Sequence, residues 1–277
     1  MMDDNSGQPS AKEVFDTTPY TILVVDDNPD MTDFLKRTFE GYFKRIIIAG
    51  DGGEALQLVR SHVPDIIVSD VMMPRMNGYK LCKTIKENIN ISHIPVILLT
   101  ARDDRQSQIS GYKNGADGYL SKPFEVEMLM ELIRNRLKNR EYTKKRYLNA
   151  GLIPTPEEST ISLTDETFLI KLNSIIQENI ENSNLGIQFI CQEVGLGRSS
   201  LYNKLKALTG MGANEYISKL RIEKAITLIS GTDMPFSEIA EKTGFTTPSY
   251  FSTAFKQYTG ETPSQYKERK KKGLAGK

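Results

Sequence analysis

The stretch DIIVSDVMMPRMNG, residues 65–78, places one carboxylate, Asp70, at the end of a run of β-forming residues. Pro74 and the pair Asn77-Gly78 follow within eight residues and are typical of a loop or turn. A charge at the end of a buried strand costs free energy unless another group pairs with it. The stretch therefore predicts a strand that ends in a polar site.

Five short apolar runs alternate with amphipathic segments in the first half of the chain. The runs cover residues 21–25, 45–49, 65–69, 95–100 and 118–121, and the amphipathic segments cover 30–42, 53–61, 78–88, 104–115 and 125–139. Near-continuous apolar runs are typical of parallel strands that are covered on both faces. The alternation predicts a flavodoxin-like α/β fold, a five-stranded parallel doubly wound sheet with its ligand site at the carboxyl ends of the strands.

The second half of the chain contains only helical patterns beyond about residue 165, so the fold class changes to all-α. Pro154, Pro156 and a cluster of serine and threonine mark the join between the two. We predict five segments, namely a flexible tail (1–19), an α/β domain (20–138), a linker (139–166), an all-α domain (167–270) and a basic tail (271–277).

Composition limits the classes of protein that fit. The 277 residues are 39% hydrophobic, which is enough for two cores. Residues 1–138 carry 17 basic and 20 acidic side chains, whereas residues 139–277 carry 19 basic and 15 acidic ones. This weak asymmetry suits a cation in the first half and a polyanion in the second.

Cysteine, histidine and hydropathy point to a reduced, soluble, cytoplasmic protein. Cys82 and Cys191 lie in apolar helical patterns and are expected to be buried small hydrophobes, not a disulfide. The chain has only two histidines, so we do not expect a zinc site. No apolar run reaches the roughly 18 residues that span a bilayer, and the polar start is no secretion signal, so no membrane partner is expected.

Polar groups end four of the five predicted strands. Asp26 and Asp27 follow the first, Asp70 the third, Thr100 the fourth and Lys122 the fifth, and parallel strands bring these ends together. Three carboxylates at one place repel one another unless a cation joins them. Oxygen ligands favour magnesium, and the lysine and hydroxyl could then hold a transferred phosphoryl group while Asp70 acts as nucleophile.

An internal repeat lies in the helical half. GLGRSSLYNKLKALTG (195–210) aligns with GFTTPSYFSTAFKQYTG (244–260), and at a spacing of 50 Leu201 pairs with Phe251 and Lys206 with Lys256. Each copy contains a short helix, a turn with glycine and a second helix, which predicts two helix-turn-helix motifs. Residues 213–229 between them are predicted to form one helix that packs against both copies and fixes their separation.

The motifs ILVVDDN (22–28), DIIVSDVMMPRMNG (65–78), ILLTA (97–101) and GYLSKPF (118–124), in this order, resemble the receiver domain of two-component response regulators. The resemblance implies a Mg²⁺ cofactor and a cis bond before Pro123. It also implies roles for seven residues: phospho-acceptor (Asp70), metal ligands beside it (Asp26, Asp27 as the more direct ligand, and the Met72 carbonyl), switch hydroxyl (Thr100), phosphate-contacting lysine (Lys122) and switch aromatic (Tyr119).

An enzyme with a separate substrate is the rejected alternative. Haloacid dehalogenase-type phosphatases also form an aspartyl-phosphate, but they need a second acid two residues after the nucleophile, where this chain has Met72. The chain also lacks the GxGxxG and GxxxxGK[ST] phosphate loops. We therefore expect a protein that is not an enzyme.

The helical half resembles the AraC/XylS-type DNA-binding domain over about residues 167–270, and GFTTPSYFSTAFKQYTGETPSQYK (244–267) is similar to the second helix-turn-helix of that family. The resemblance implies double-stranded DNA as partner and two contact faces. The first face is Arg198, Ser199, Tyr202, Asn203 and Lys206, and the second is Ser249, Tyr250, Ser252, Thr253 and Lys256. Related proteins often have arginine where Asn203 and Thr253 stand, so the base preference stays open. The segment KERKKKG (267–273) is expected to contact phosphates without sequence preference.

Together these expectations describe a phosphorylation-dependent DNA-binding regulator of transcription. A histidine kinase would phosphorylate Asp70, a homodimer would form, and RNA polymerase is a candidate partner. A receiver joined to this domain through DETFL (165–169) is similar to the carboxyl-terminal output part of hybrid two-component sensors of Bacteroides, so a free-standing regulator and a piece of a longer chain both stay open. Two rivals stay open as well: a constitutive DNA binder with a docking receiver, and a phosphate sink in a relay.

Overall fold

The computed structural model describes residues 14–101, 115–149 and 162–274. The contacts divide the chain into two compact units. The first contains residues 1–83 and 94–139, and the second contains residues 84–93 and 140–277.

The first unit is built on a parallel sheet. Its strands are β1 (Thr21–Val25), β2 (Arg45–Ala49), β3 (Ile66–Asp70), β4 (Val96–Ala101) and β5 (Gly118–Lys122). Their order is β2-β1-β3-β4-β5, and every neighbouring pair is parallel. The predicted five-stranded α/β sheet is confirmed, with strand ends that differ from the prediction by one residue at most. Ile22 and Leu23 are both fully buried on β1, as expected for a sheet covered on both faces.

The first three helices begin at recognisable caps or turns. They are α1 (Pro29–Phe39), α2 (Gly52–His62) and α3 (Gly78–Glu87). The Asn28 side chain accepts a hydrogen bond from the Asp30 amide, and the Asp51 carboxylate accepts two, from the amides of Gly53 and Glu54. These contacts satisfy amides that have no partner inside the helix. The predicted helix over 104–115 falls on residues outside the described part, apart from its last residue.

Helix α4 (Val126–Asn149) extends ten residues beyond the end of the amphipathic segment that predicted it. The prediction ended at residue 139, inside the charged run KNREYTKKR (138–146). Charged residues do not break a helix, and here Glu141 and Lys144 form an ion pair of 2.6 Å across one turn. The predicted linker over 139–166 therefore begins as helix.

The predicted flexible tail was wrong for residues 14–19. Phe15 packs against the core of the first unit and stacks on Tyr20 with 5.9 Å between ring centroids. Thr17 is 3% exposed, and its hydroxyl donates a hydrogen bond of 2.7 Å to the Tyr42 carbonyl. A segment can pack through single residues without any periodic pattern, which is why no pattern predicted this contact.

The second unit contains helices and no strand in the part of residues 162–274 that the structure describes. The helices are α5 (Leu163–Glu178), α6 (Ile187–Val194), α7 (Arg198–Thr209), α8 (Ala213–Gly231), α9 (Phe236–Lys242), α10 (Pro248–Thr259) and α11 (Pro263–Leu274). Helix α5 starts at the Ser162 cap, whose hydroxyl accepts from the Asp165 amide, so helix begins before the predicted domain start at 167. Helix α11 includes residues 271–274, whereas the sequence predicted that the basic tail begins at 271.

Helix α8 carries two hydrophobic cores. Tyr216 and Leu220 belong to the core formed with α5, α6 and α7, whereas Ile222 and Ala225 belong to the core formed with α9, α10 and α11. The prediction of one helix packed against both helix-turn-helix copies agrees with these contacts.

Residues 84–93 group with the second unit although the sequence placed them in the α/β domain. The Thr164 hydroxyl donates to the Lys86 carbonyl at 3.1 Å, and Ile89 packs against the core that contains Phe168. Ser92 and His93 are buried as well. The sequence pattern of a helix end and the loop after it does not depend on which unit they pack against. The assignment of residues 84–93 to the second unit was therefore not predictable from the pattern.

Two smaller expectations concern cysteine and membranes. Cys82 and Cys191 are both free and buried, as expected for small hydrophobes. Among the described helices, none is both long and apolar enough to cross a bilayer.

Candidate functional site

Two carboxylates and a lysine meet at the carboxyl ends of β1, β3 and β5. The Lys122 Nζ atom lies 2.6 Å from Asp70 Oδ1 and 2.9 Å from Asp26 Oδ2. Asp70 is the last residue of β3 and Asp26 follows β1 directly. The sheet therefore brings three of the predicted site residues into direct contact.

Backbone amides hold the other oxygen of each carboxylate. The Met72 amide donates to Asp70 Oδ2 at 2.8 Å, and the Asn28 amide donates to Asp26 Oδ1 at 2.9 Å. The loop after Asp70 ends at Gly78, whose backbone lies against the Asp70 carbonyl oxygen. A Cβ atom at position 78 would lie 2.2 Å from that oxygen, so this close approach requires glycine. These contacts fix the direction of both carboxylates.

The pKa shifts at this site follow from burial and from the ion pairs. Burial raises the pKa of Asp70, the Lys122 ammonium offsets part of this rise, and the Asp26 charge adds to it. Burial alone would lower the pKa of Lys122, but the hydrogen bonds and charges of Asp70 and Asp26 raise it above its ordinary value. Lys122 is consequently held as the cation between two acids.

The other predicted residues lie nearby with fewer contacts. Asp27 is exposed, and the described residues hold no cluster of three histidine, cysteine or carboxylate side chains arranged to bind a metal. Thr100 is fully buried, and its hydroxyl lies 3.4 Å from the Ala101 carbonyl. Tyr119 is half-buried on β5, the Met72 side chain is exposed, and the bond from Lys122 to Pro123 is cis.

Magnesium fits this site through two carboxylates. Asp26 and Asp70 already present one oxygen each to a single cation, the Lys122 ammonium. Carboxylate oxygens are the ligands that Mg²⁺ prefers. The third acid of the prediction, Asp27, is not part of this convergence.

Sequence reasoning missed a contact that secures the loop after Asp70. Arg75, with a left-handed backbone (φ 62°), forms an ion pair with Asp51, the residue that caps α2. The Gly52 amide also donates to the Met76 carbonyl at 3.3 Å. The cap was readable from Asp51 and the two glycines after it, but its ion-pair partner was not.

Helix α7 exposes the residues predicted to face a ligand. The five are Arg198, Ser199, Tyr202, Asn203 and Lys206. Tyr202 is 53% exposed, whereas Leu201 and Leu205 are buried on the opposite face. The predicted division of this helix into a buried and a free face agrees with the structure.

Helix α10 is divided in the same way. Ser249, Tyr250, Thr253 and Lys256 are exposed and Ser252 is half-buried, while Phe251 and Phe255 lie in the core. Thr247 caps the helix by accepting from the Tyr250 amide at 3.2 Å, and Pro248 occupies its first turn. Both helices present aromatic, hydroxyl and lysine side chains, which suit base edges and phosphates.

One lysine of α7 has a place that the sequence did not indicate. Lys204 is 0% exposed and forms an ion pair with Asp165 of α5. Its ammonium also donates to Ser92 Oγ at 2.8 Å, and Ser92 donates to Asp165 Oδ1 at 2.7 Å. Burial lowers the pKa of Lys204, and the Asp165 charge offsets part of this. The charge is internal to the second unit.

An α/β sheet with an acid pair and a lysine at one edge, and a helical unit with two helix-turn-helix motifs, define a regulatory protein with a DNA-binding output. Comparison with known proteins agrees. Residues 22–134 match the response regulator receiver domain family, and residues 190–269 match a helix-turn-helix domain family.

Individual relatives match different fractions of the chain. The response regulator MprA of Mycobacterium sp. (strain KMS) is 36% identical over 165 residues, which are 55% of this chain and 70% of that protein. Histidine kinase P4 of Formosa agariphila is 41% identical over 249 residues, 90% of this chain but 18% of that protein. The receiver domain of Francisella response regulator 1452 is 38% identical with a TM-score of 0.40, and the match covers 43% of this chain and 98% of that one.

The chain belongs to the response regulators of two-component systems, with a receiver domain and an AraC-type helix-turn-helix domain. This confirms the resemblance to the two domain families drawn from the sequence. The chain spans 18% of the Formosa protein and 58% of the response regulator MtrA of Mycolicibacterium smegmatis, with which it is 35% identical.

Proposed function

We propose that this chain is a phosphorylation-dependent regulator of transcription. A histidine kinase phosphorylates Asp70, and the helical unit binds double-stranded DNA in a sequence-specific way. The observation that carries the proposal is the contact of one ammonium, Lys122 Nζ, with both Asp70 and Asp26, while the Met72 amide holds the second oxygen of Asp70.

The chemistry at Asp70 is a phosphoryl transfer from a phosphohistidine. A carboxylate oxygen of Asp70 forms a bond to phosphorus, the phosphorus–nitrogen bond of the donor breaks, and the imidazole nitrogen leaves with the electron pair. Negative charge on the phosphoryl oxygens needs fixed positive partners. Lys122 can donate to these oxygens once it exchanges one carboxylate for the phosphoryl group, and the Thr100 hydroxyl at the end of β4 is the proposed second donor.

Mg²⁺ is the proposed cofactor. Its proposed ligands are Asp26, Asp70, the Met72 carbonyl and Asp27 after a change of side-chain position. When bound, the ion supplies positive charge to the phosphoryl oxygens. The two converging carboxylates support this assignment.

The proposed DNA contacts are the exposed faces of α7 and α10. Tyrosine, serine, threonine and Asn203 offer hydrogen bonds to base edges, and Lys206 and Lys256 offer charge to phosphates. The basic end of α11 adds non-specific phosphate contacts. Because the output is DNA, we place the protein in the cytoplasm.

Phosphorylation changes output through a population shift. We propose that the region of Thr100 and Tyr119 moves on phosphorylation and that a homodimer results, with RNA polymerase as a candidate partner at the promoter. A coupling free energy of about 1–3 kcal/mol corresponds to roughly 5–150-fold in apparent DNA affinity.

The donor kinase is proposed to be either a separate protein or a domain of the same longer chain. The second arrangement is favoured by the Formosa relative, which is named a histidine kinase and matches 90% of this chain within 18% of its own length.

The test is sedimentation velocity of the full chain with and without beryllofluoride and Mg²⁺. Wild type and the control Asp30→Ala, an exposed acid in the first turn of α1, should change from monomer to dimer, and Asp70→Ala should not. In parallel, binding to a pool of random DNA duplexes should enrich a sequence under the activating condition only.

The main rival, a constitutive DNA binder with a docking receiver, predicts a different result. In that case all three proteins enrich the same duplexes with equal affinity, with or without beryllofluoride. Enrichment of no sequence by any of them would reject the DNA-binding output itself.

A further inference from the structure

Helix α8 changes partner at one residue. Leu220 is buried in the core of the first helix-turn-helix, and Ile222 is buried in the core of the second. Arg221 stands between them and is half-buried. It is therefore the residue of α8 at which the two subdomains meet within the second unit.

Arg221 contacts both subdomains. Its Nη2 atom donates a hydrogen bond of 2.6 Å to the Asn182 carbonyl, in the segment that joins α5 to α6. Its guanidinium carbon lies 6.0 Å from the ring centroid of Phe245, in the turn between α9 and α10. One side chain thus links the backbone of the first subdomain to the turn of the second.

The turn of the second motif approaches closely at the same point. A Cβ atom on Gly244 would lie 2.2 Å from the Ile180 carbonyl oxygen and 2.8 Å from Arg221 Nη2. Only glycine allows this approach, and it also adopts the left-handed backbone (φ 72°) of the turn. The two subdomains are in close backbone contact here, and Arg221 fills the space beside that contact.

From Phe245 the contact continues to a proposed DNA-reading residue. The Phe245 ring lies 5.7 Å from that of Tyr250, on the exposed face of α10, and 5.4 Å from that of Phe251 in the core. Burial lowers the pKa of Arg221, and the nearby Tyr250 phenol offsets part of this. Arg221 therefore places a half-buried charge beside the aromatic residue on which Tyr250 packs.

We propose that Arg221 is a positioning residue that fixes α10 relative to α7, and so restricts the protein to one separation between the two sequence blocks that these helices read. This rests on the proposed DNA binding. One extra base pair moves a block by roughly 3.4 Å and rotates it by about 35° around the duplex axis. A rigid pair of reading helices rejects that displacement, whereas a pair joined only through α8 tolerates it.

The experiment uses the full chain with beryllofluoride and Mg²⁺. Wild-type protein first selects duplexes from a random pool. The consensus duplex and versions with one base pair added or removed between its two blocks are then titrated with wild type, Arg221→Ala, Arg221→Lys and Arg269→Ala. Arg269 is the matched control, since it stacks on Tyr266 at 5.0 Å and pairs with Glu261, all within the second subdomain.

We expect wild type to discriminate between the correct and the altered spacing by more than about tenfold, since a misplaced block loses the base contacts of one whole reading helix. Arg221→Ala should discriminate less than about threefold. Arg221→Lys keeps a hydrogen-bond donor but loses the planar group over Phe245. Its ratio of affinities for the correct and the altered spacing should fall between those of wild type and Arg221→Ala. Arg269→Ala should bind all duplexes more weakly in equal proportion.

A lower overall affinity of Arg221→Ala with an unchanged spacing ratio would show a merely structural role and overturn the inference. If Arg221→Ala does not fold, the ratio of affinities for the correct and the altered spacing is measured with Arg221→Lys, and an unchanged ratio in that variant overturns the inference. Failure of wild type to enrich any sequence would instead reject the proposed DNA binding, so the two failures are distinguishable.

Discussion

The two helix-turn-helix copies have the same local structure and different surroundings. Gly195 and Gly244 occupy the same place in their turns, with φ of 73° and 72°. A Cβ atom on Gly195 would meet nothing within 4 Å, whereas one on Gly244 would collide with the Ile180 carbonyl. The first glycine is required by its backbone conformation alone, and the second also by a neighbouring segment.

The second helices of the two copies, α7 and α10, also have different surroundings. At the spacing of 50 residues Lys204 corresponds to Ala254. Lys204 is fully buried against Asp165 and Ser92, and Ala254 is half-buried in the second core. The repeat thus determines the helices and their faces, but segments far away in the chain decide what covers each face.

The largest expected effect is at Lys204. Lys204→Ala leaves the Asp165 carboxylate buried without its charge partner, and we expect a loss of about 3–5 kcal/mol in the free energy of unfolding. Ala254→Lys, the reverse change in the other copy, should cost much less because a lysine there can reach water. Urea denaturation measures both. A loss below about 1 kcal/mol for Lys204→Ala would show that the ion pair is replaceable.

The paired variant Lys204→Met with Asp165→Leu sharpens this prediction. Replacing both charges by apolar groups removes the desolvation cost together with the attraction, so most of the lost stability should return.

The second effect compares the two turn glycines. Gly195→Ala should cost about 1–2 kcal/mol, the strain of a left-handed alanine. Gly244→Ala adds an overlap with the Ile180 carbonyl, which is expected to cost roughly 1–3 kcal/mol more. Thermal unfolding of both variants measures the difference, and equal losses would contradict the distinction drawn between the copies.

The third effect is acid sensitivity from His93, in the segment that packs on the first copy. Burial and nearby cations hold the pKa of His93 well below 6.5. The cations are Arg140, Lys204, Lys86 and Lys144. Below pH about 6.5 the unfolded chain binds a proton that the folded chain does not, so the free energy of unfolding should fall by up to about 1.4 kcal/mol per pH unit.

His93→Gln should remove this slope between pH 6.5 and 5.5 in urea titrations. The control is His62→Gln, a change at an exposed histidine outside the buried segment. An unchanged slope in His93→Gln would assign the acid sensitivity to other groups.

The smallest effect is expected where the two copies are alike. Lys206 and Lys256 occupy corresponding positions of the two copies, and both are exposed. Each change to alanine should weaken binding of the selected duplex without altering sequence preference, and should reduce the slope of log affinity against log salt by about 0.9. Different slopes for the two variants would indicate that one helix does not approach the backbone.

Local patterns identified most of the sheet and the motifs. Strands β1 and β2 were predicted with their observed ends, because a buried parallel strand needs apolar residues at nearly every position. Helix α4 was predicted too short, since a charged run reads as a linker although it continues a solvated helix. The Arg75–Asp51 pair was not predicted, because its partners are far apart in sequence and each is ordinary in its own context.

Sequence alone determined the five strands, the two helix-turn-helix motifs and the polar residues at the strand ends, since these depend on periodicity, turn chemistry and order along the chain. Tertiary structure decided that Lys122 joins Asp26 to Asp70, that Lys204 is internal and that Arg221 lies where two cores meet. The physical reason is that a charged side chain takes its role from the groups that desolvate and pair with it. Those groups come from distant segments, which no local pattern specifies.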